Sequence, residues 1–144
     1  MRIELIKSSL RNVKLLAKEY KEALPQDIED EVNQLKIRIS NRLRVDDYER
    51  QFLIDCRETK RNFFRQVLFW SVKLFNEIDN SVAISNIEHI SQDKFDLVFK
   101  ELSSEEMDLL GLVWEFAFRI EEPEEPFEKL VSYVTKLVSN VNAL

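Results

Sequence analysis

The chain has 144 residues, a formal net charge of −6 at pH 7, and only one Gly, one Cys and one His. Gly-rich phosphate loops and two-residue hairpins need Gly where φ is positive or where backbone approaches a ligand, so the single Gly excludes both. One Cys excludes an internal disulfide and a Cys-based zinc site, and one His leaves no His pair for a metal.

The length suits one domain, which we expect to span residues 1–144. Hydrophobic residues make up 44% of the chain and charged residues 33%, which is typical of a globular protein. No charge-free apolar run reaches the roughly 18 residues of a membrane span. The N-terminal residues lack the compact apolar stretch and small-residue cleavage site of a signal peptide. We therefore expect a cytoplasmic protein with a reduced thiol.

Residues 1–44 are predicted to form an antiparallel helical hairpin. Apolar residues recur in steps of three and four from Ile3 to Leu24, which is the period of an amphipathic helix. Pro25 stops that helix and can open the next, because a missing N–H is tolerated in the first turn. The second helix has its own apolar stripe: Ile28, Val32, Leu35, Ile39 and Leu43.

A long helix is predicted over residues 46–79. Asp46 and Glu49 have the spacing of a capping box at its start. The first half is amphipathic, whereas residues 62–75 are apolar almost all round, which predicts burial on every side. We expect this second half to lie at the centre of the fold. The length of the pattern also leaves room for a break in its middle.

Residues 80–91 are predicted to be mostly loop. This segment contains three apolar residues that could form either a short strand or a single helical turn: Val82, Ile84 and Ile87. Two helices are predicted over residues 92–120, and Ser103 with Glu106 forms a capping box at the start of the second. That second helix is again apolar nearly all round.

Gly111 lies inside this second helix, and its predicted role is to allow another helix to approach closely. An acidic, proline-broken connector over residues 121–125 then leads to a C-terminal helix over residues 126–142. The connector is predicted to be a solvated loop, with docking on a basic partner as the alternative. The C-terminal helix also carries an apolar stripe: Phe127, Leu130, Val131, Val134, Leu137, Val138 and Val141.

The predicted fold class is all-α, a single-domain helical bundle of about five to six helices. The two helices that are apolar all round, with Trp70 and Trp114, are expected to pack together at its centre. The first and last helices carry apolar stripes close to a seven-residue repeat. We expect these stripes to pack in the chain's own core, and contact with another chain is the alternative. Core burial is likewise favoured over membrane contact for the two apolar helices.

Charge is unevenly distributed along the chain. Residues 1–75 carry 16 Lys+Arg and 12 Asp+Glu, whereas residues 76–144 carry 5 and 15. Arginines of the long helix fall on one face, and with neighbouring cations they form a candidate partner-binding patch: Arg38, Arg42, Arg50, Arg57, Lys60, Arg61 and Arg65. Three interpretations stay open, namely a solvated face neutralised by the acidic half, a phosphate-backbone contact, and docking on an acidic protein.

No catalytic constellation stands out in the sequence. His89 beside Glu88 is the only imidazole, and Cys56 falls on an apolar helix face where a thiol behaves as a small hydrophobe. The Glu-x-x-His signature of di-iron bundles does not occur, and the acidic run has no Gly-centred series of calcium ligands. We predict no cofactor and no metal, and the sequence resembles no family at the level of residues.

The leading hypothesis is a non-enzymatic cytoplasmic protein-interaction module, acting as a subunit, adaptor or inhibitor. Small, glycine-poor, all-helical chains of this size occur as subunits of multiprotein complexes and as adaptor modules in bacteria. The alternative is a nucleic-acid-associated subunit that contacts phosphates through the same arginines, and a third possibility is an enzyme with carboxylates that converge only in the folded chain. A protein partner or self-association is expected, with no membrane and no small-molecule substrate.

Overall fold

Every regular element in the described chain is helical, which confirms the predicted all-α class. The computed structural model describes residues 2–143, with side-chain exposure defined to residue 139. Met1 and Leu144, the ends of the predicted domain, and the Val141 side chain lie outside the described part. The elements over residues 2–143 are α1 (Ile3–Ala23), α2 (Gln26–Ser40), α3 (Asp47–Ile78), a 3₁₀ helix (Ile84–His89), α4 (Gln92–Phe99), α5 (Ser104–Phe118) and α6 (Glu124–Ala143).

Both predicted capping boxes are present and fix the starts of two helices. The Asp46 carboxylate accepts from the Glu49 N–H at 2.8 Å, and the Glu49 side chain accepts from the Asp46 N–H at 3.2 Å. Ser103 and Glu106 exchange the same pair of hydrogen bonds at 3.2 and 2.9 Å. Each pair satisfies N–H groups that the first helical turn leaves without a partner. The long helix is continuous over its 32 residues.

The centre of the bundle is α1. It packs antiparallel along the C-terminal half of α3, with an ion pair between Arg2 and Glu77 at 3.0 Å near one end and an edge-to-face contact between Tyr20 and Phe63 at 5.5 Å near the other. It also contacts α5 and α6. Its apolar stripe is buried: Ile6, Leu10, Val13, Leu16, Ala17 and Tyr20. This stripe therefore faces the chain's own core, as favoured from the sequence.

The short turn at Leu24–Pro25 joins α1 to α2, but the two helices do not lie side by side, so the packing of the predicted hairpin over residues 1–44 is wrong. At about 1.5 Å per residue, α3 is roughly 17 Å longer than α1. Its N-terminal half extends past α1, and α2 packs there, with Arg38 bound to Glu49 at 2.6 Å. The total accessible area of 9336 Å² exceeds the roughly 8,000 Å² usual for this mass, as a projecting helix pair would cause.

The expectation that two apolar segments are buried on every side is also wrong. Phe69 of α3 is 53% exposed and Phe118 of α5 is 52% exposed. Trp70 and Trp114 are half-buried at the periphery, and α3 meets α5 over a small area. The reason is that α1, α6 and the 3₁₀ helix cover one side of these helices and leave the other side open.

Two smaller expectations concern the region between α3 and α5. The segment predicted as mostly loop contains the 3₁₀ helix, and its Ile87 is 1% exposed, so the helical alternative is right. Gly111 does not mediate a close helix contact, because a Cβ placed there meets nothing within 4 Å. It lies on the solvent side of α5, opposite the buried Val113.

Asp79 closes the C-terminal end of α3 against α4. Its carboxylate accepts from the Ser81 hydroxyl at 2.6 Å and the Ser81 N–H at 3.0 Å, and it pairs with Lys94 at 2.9 Å. These hydrogen bonds, led by the Ser81 hydroxyl and the Lys94 ammonium, lower the pKa of Asp79 from 3.8 to about 2.

We expect this carboxylate to make stability depend on pH in the acid range. Because the pKa of Asp79 is lower in the folded chain than in the unfolded chain, its contribution is complete above 3.8 and is lost as the pH falls toward about 2. Asp79→Asn should therefore lower the Tm at neutral pH, and the difference from the wild type should vanish near the folded pKa. Thermal unfolding at a series of pH values measures this, and a difference that does not depend on pH would contradict it.

Candidate functional site: the arginine face of α3 and the α2–α3 groove

Within the described part of the fold, two of the seven predicted site residues make ion pairs and five are free of them. Arg38 pairs with Glu49 at 2.6 Å and also donates to the Arg44 carbonyl. Lys60 lies 4.0 Å from Glu128 of α6. The other five make no ion pair among the described residues: Arg42, Arg50, Arg57, Arg61 and Arg65.

Among the described residues, Lys60 is therefore the one member of the predicted patch that pairs with the acidic half of the chain. Several carboxylates of that half are engaged elsewhere. Glu115 and Glu125 both pair with Lys129, at 3.0 and 3.5 Å, and with Arg119. The Arg119 guanidinium and Lys129 ammonium lower the pKa of Glu125, which belongs to the predicted acidic connector but lies in the first turn of α6.

Four of the free arginines form what we call the arginine face: Arg50, Arg57, Arg61 and Arg65 of α3. At 100° per residue their side chains fall within about 80° of one another, along roughly 22 Å of helix. All four are exposed. Exposed guanidiniums without partners keep their full capacity for bidentate contacts with carboxylate or phosphate. Arg42, in contrast, lies in the turn after α2 with a positive φ of 59°.

A groove lies beside the arginine face, where α2 crosses the N-terminal half of α3. We call it the α2–α3 groove, and its volume is about 440 Å³. Apolar side chains from α2, α3 and the turn between α1 and α2 line its floor and walls: Leu24, Ile28, Val32, Leu53, Ile54 and Cys56. Four cations stand at its edge: Lys36, Arg50, Arg57 and Lys60. The groove thus joins an apolar surface to concentrated positive charge.

The end of the groove near α1 is closed by Tyr20 and Glu29. The Tyr20 hydroxyl donates to the Glu29 carboxylate at 3.0 Å, and burial together with this carboxylate raises the pKa of Tyr20 well above its usual range. Glu29 is also within 3.8 Å of Lys21. Acidic charge at this end, including Glu124, gives the groove a polarity along its length.

Cys56 lies in the groove wall and is half-buried. Burial, followed by the nearby Asp55 and Glu31 carboxylates, raises the pKa of the Cys56 thiol. A thiol with a raised pKa holds little thiolate at neutral pH and is a poor nucleophile. The interpretation of Cys56 as a small hydrophobic residue agrees with this environment.

The groove itself was not predicted from the sequence. Its floor combines two apolar patterns that the sequence shows separately, one on α2 and one on the first half of the long helix. The signal that could have revealed it is that the amphipathic first half of α3 needs an apolar partner beyond the end of α1. Lys36 and Tyr20 enter the site only through this packing.

His89, the only imidazole, is on the surface. Its side chain is 71% exposed, and its nearest charged neighbour is Glu88 at 3.7 Å. Within residues 2–143, no group of three or more His, Cys, Asp or Glu side chains is arranged to hold a metal ion. In the same residues no helix combines the length and apolar character needed to cross a membrane.

Comparison with known proteins gives no further guide, since no family model, curated protein or solved structure matches this chain significantly. The geometry of the arginine face and the α2–α3 groove is therefore the guide to function.

Proposed function

We propose that this chain is a non-enzymatic interaction module that binds an acidic, amphipathic segment of another protein through the α2–α3 groove and the arginine face. The observation that carries the proposal is the combination of exposed arginines that lack intramolecular partners with an apolar groove directly beside them. An amphipathic helix binds such a groove by its apolar face. Acidic residues flanking that face would meet the guanidiniums.

Charge explains why the partner should be acidic. Lys36, Arg50 and Arg57 stand at the groove edge and make no ion pair within residues 2–139. Positive potential of this kind steers acidic partners and fixes their orientation, and its effect falls as salt rises. A role as subunit, adaptor or inhibitor in a cytoplasmic complex is consistent with such a surface.

Charge reversal tests the proposal. The probe is a fluorescein-labelled helical peptide of about 18 residues, with a leucine stripe flanked by glutamates. We expect Arg57→Glu/Arg61→Glu/Arg65→Glu to weaken its binding by about tenfold or more, because attraction becomes repulsion along the arginine face. Fluorescence anisotropy measures the affinity, and circular dichroism checks that the bundle remains folded.

A matched control separates local charge from net charge. Arg11→Glu/Lys18→Glu/Lys136→Glu changes the net charge equally at exposed sites that make no ion pair in the described chain. Its affinity for the peptide should stay within about threefold of the wild type. Equal losses in the two triple variants, or no binding by the wild type, would contradict the proposal.

A nucleic-acid contact remains the second candidate, since Arg57, Arg61 and Arg65 are spaced one turn apart in a row without partners. Phosphate backbones are bound by such rows in a salt-dependent way. A single-stranded RNA of about 20 nucleotides serves as the probe. The nucleic-acid contact replaces the protein-interaction module as the proposed function if the RNA binds the wild type more tightly than the acidic peptide does and its affinity falls steeply with added salt.

A further inference from the structure

The outer side of α5 carries an apolar surface that the arginine site does not use. We call it the Gly111 face, and it is formed by α5 residues in steps of four, three and four together with two aromatics of α4: Met107, Gly111, Trp114 and Phe118, with Phe95 and Phe99. At 100° per residue the α5 members lie opposite the buried Leu109 and Val113. One side of α5 is therefore buried, whereas on the other side Gly111 and Phe118 are exposed and Met107 and Trp114 are partly buried against the core.

The aromatic side chains of this face stack in two pairs. The Trp114 and Phe118 rings stack with centroids 4.9 Å apart and an interplanar angle of 7°. The Phe95 and Phe99 rings stack at 6.0 Å. Between α4 and α5 lies a groove of about 290 Å³, and Gly111 lies on its α5 side. Rigid aromatic surface around a groove is typical of protein-interaction sites.

Nothing within the described fold explains a glycine at position 111. Glycine in the interior of a helix is less stable than alanine, and its φ is not positive. A Cβ at Gly111 would meet nothing within 4 Å, so the chain's own packing does not require its absence. The missing side chain leaves the α5 backbone open to close approach from outside.

Three carboxylates flank the Gly111 face. Glu88 lines the groove, and the Gln92 side chain donates to Asp96 at 2.9 Å along its α4 edge. Asp108 flanks Gly111 on α5, where it accepts a hydrogen bond from the Tyr133 hydroxyl at 3.3 Å. These carboxylates belong to the half of the chain with 5 Lys+Arg and 15 Asp+Glu.

From these features we infer that the Gly111 face binds an amphipathic helix of another protein, with basic residues flanking its apolar side. The four-three-four spacing matches the face of a helix, and the glycine notch in its middle allows the two backbones to cross closely. The acidic rim selects basic flanks. A second copy docked through the same face would place Glu88, Asp96 and Asp108 against like charges, and anionic lipid headgroups would be repelled in the same way.

This site goes beyond the proposed function, because it shares no residue with the α2–α3 groove and has the opposite charge. A chain that holds an acidic helix at one surface and a basic helix at the other would connect two different partners. The inference can fail while the arginine site stands, since the variants that test the two sites are different.

A displayed peptide library tests the inference. The probe is a phage library of helical peptides of about 18 residues, randomised along one face and its flanks and selected on the intact chain. We expect selected peptides to carry an apolar stripe with Lys or Arg flanks. Gly111→Leu should weaken the best of them by roughly tenfold or more, because its side chain fills the notch. Leu97→Ala, at a 54% exposed position of α4 outside the groove, is the matched control.

Gly111→Ala distinguishes a binding role of Gly111 from a role in the fold, because the two roles predict opposite changes in Tm. We expect this variant to raise the Tm, because alanine favours the helix, and at the same time to weaken peptide binding several-fold. A lowered Tm would show that the fold itself requires the glycine and would overturn the inference. So would glutamate-flanked winners, the absence of any enriched peptide, or sedimentation showing self-association that Gly111→Leu abolishes.

Discussion

Replacing Phe127 with alanine is expected to lower the free energy of unfolding by about 3–5 kcal/mol. The Phe127 side chain is fully buried at 0% exposure, in the first turns of α6. Its ring lies edge-on to Tyr20 of α1 at 4.8 Å and to Phe64 of α3 at 4.6 Å, and 6.1 Å from Phe116 of α5. One side chain thus holds four helices together, and its removal leaves a cavity that none of them can fill alone.

Urea denaturation followed by circular dichroism measures this loss, which is a large share of the roughly 5–15 kcal/mol by which a domain is usually stable. Phe127→Leu keeps much of the volume and should cost clearly less. Phe69→Ala, at a 53% exposed ring on α3, should cost no more than about 1 kcal/mol. If Phe127→Ala were no more damaging than Phe69→Ala, the aromatic cluster would not be the centre of stability.

Local features of this fold were predictable because they depend on residues close together in the sequence. The capping boxes at Asp46 and Ser103 need only a residue and its third neighbour, and both formed as predicted. Helical period likewise places Phe127 on the buried side of α6 without reference to any other helix. The all-α class follows from the sum of such local signals.

The partners of each helix were harder to predict, since a stripe shows that a side is buried but not against what. The turn at Leu24–Pro25 fits a hairpin, yet α2 gains more by covering the half of α3 that α1 cannot reach. Apolar residues all round α5 suggested complete burial, and the structure leaves Phe118 open. A surface for another protein has the same composition as a core, so the sequence alone does not distinguish them.

The candidate site also combines features that are set within one helix with features that depend on packing between helices. One-helix geometry was enough to place Arg57, Arg61 and Arg65 on a common side of α3. Whether the acidic half neutralises them depends on contacts between distant segments, and those contacts engage Glu115 and Glu125 elsewhere. The groove beside them depends on how α2 packs, which no pattern within a single helix contains.

The second large effect is expected in α2, which should open locally while the rest of the bundle stays folded. Only Leu35 of its 15 residues is a buried member of the helix, whereas α1 buries seven. Its polar attachments lie at the two ends, from Tyr20 to Glu29 and from Arg38 to Glu49. Segments with so few buried contacts open at a small fraction of the global unfolding free energy.

Hydrogen exchange measured by NMR should show α2 amides exchanging on the order of 100-fold or more faster than those around Val13 in α1. The Cys56 thiol, in the groove wall that α2 covers, gives an independent readout. Leu35→Ala should increase the rate at which Cys56 reacts with a disulfide reagent, because opening of α2 exposes it, while the α1 amides stay protected. Equal protection of α1 and α2 would contradict local opening. If the prediction holds, the groove can widen for a bulky partner without disturbing the core, because α2 moves on α3 while the aromatic cluster around Phe127 remains in place.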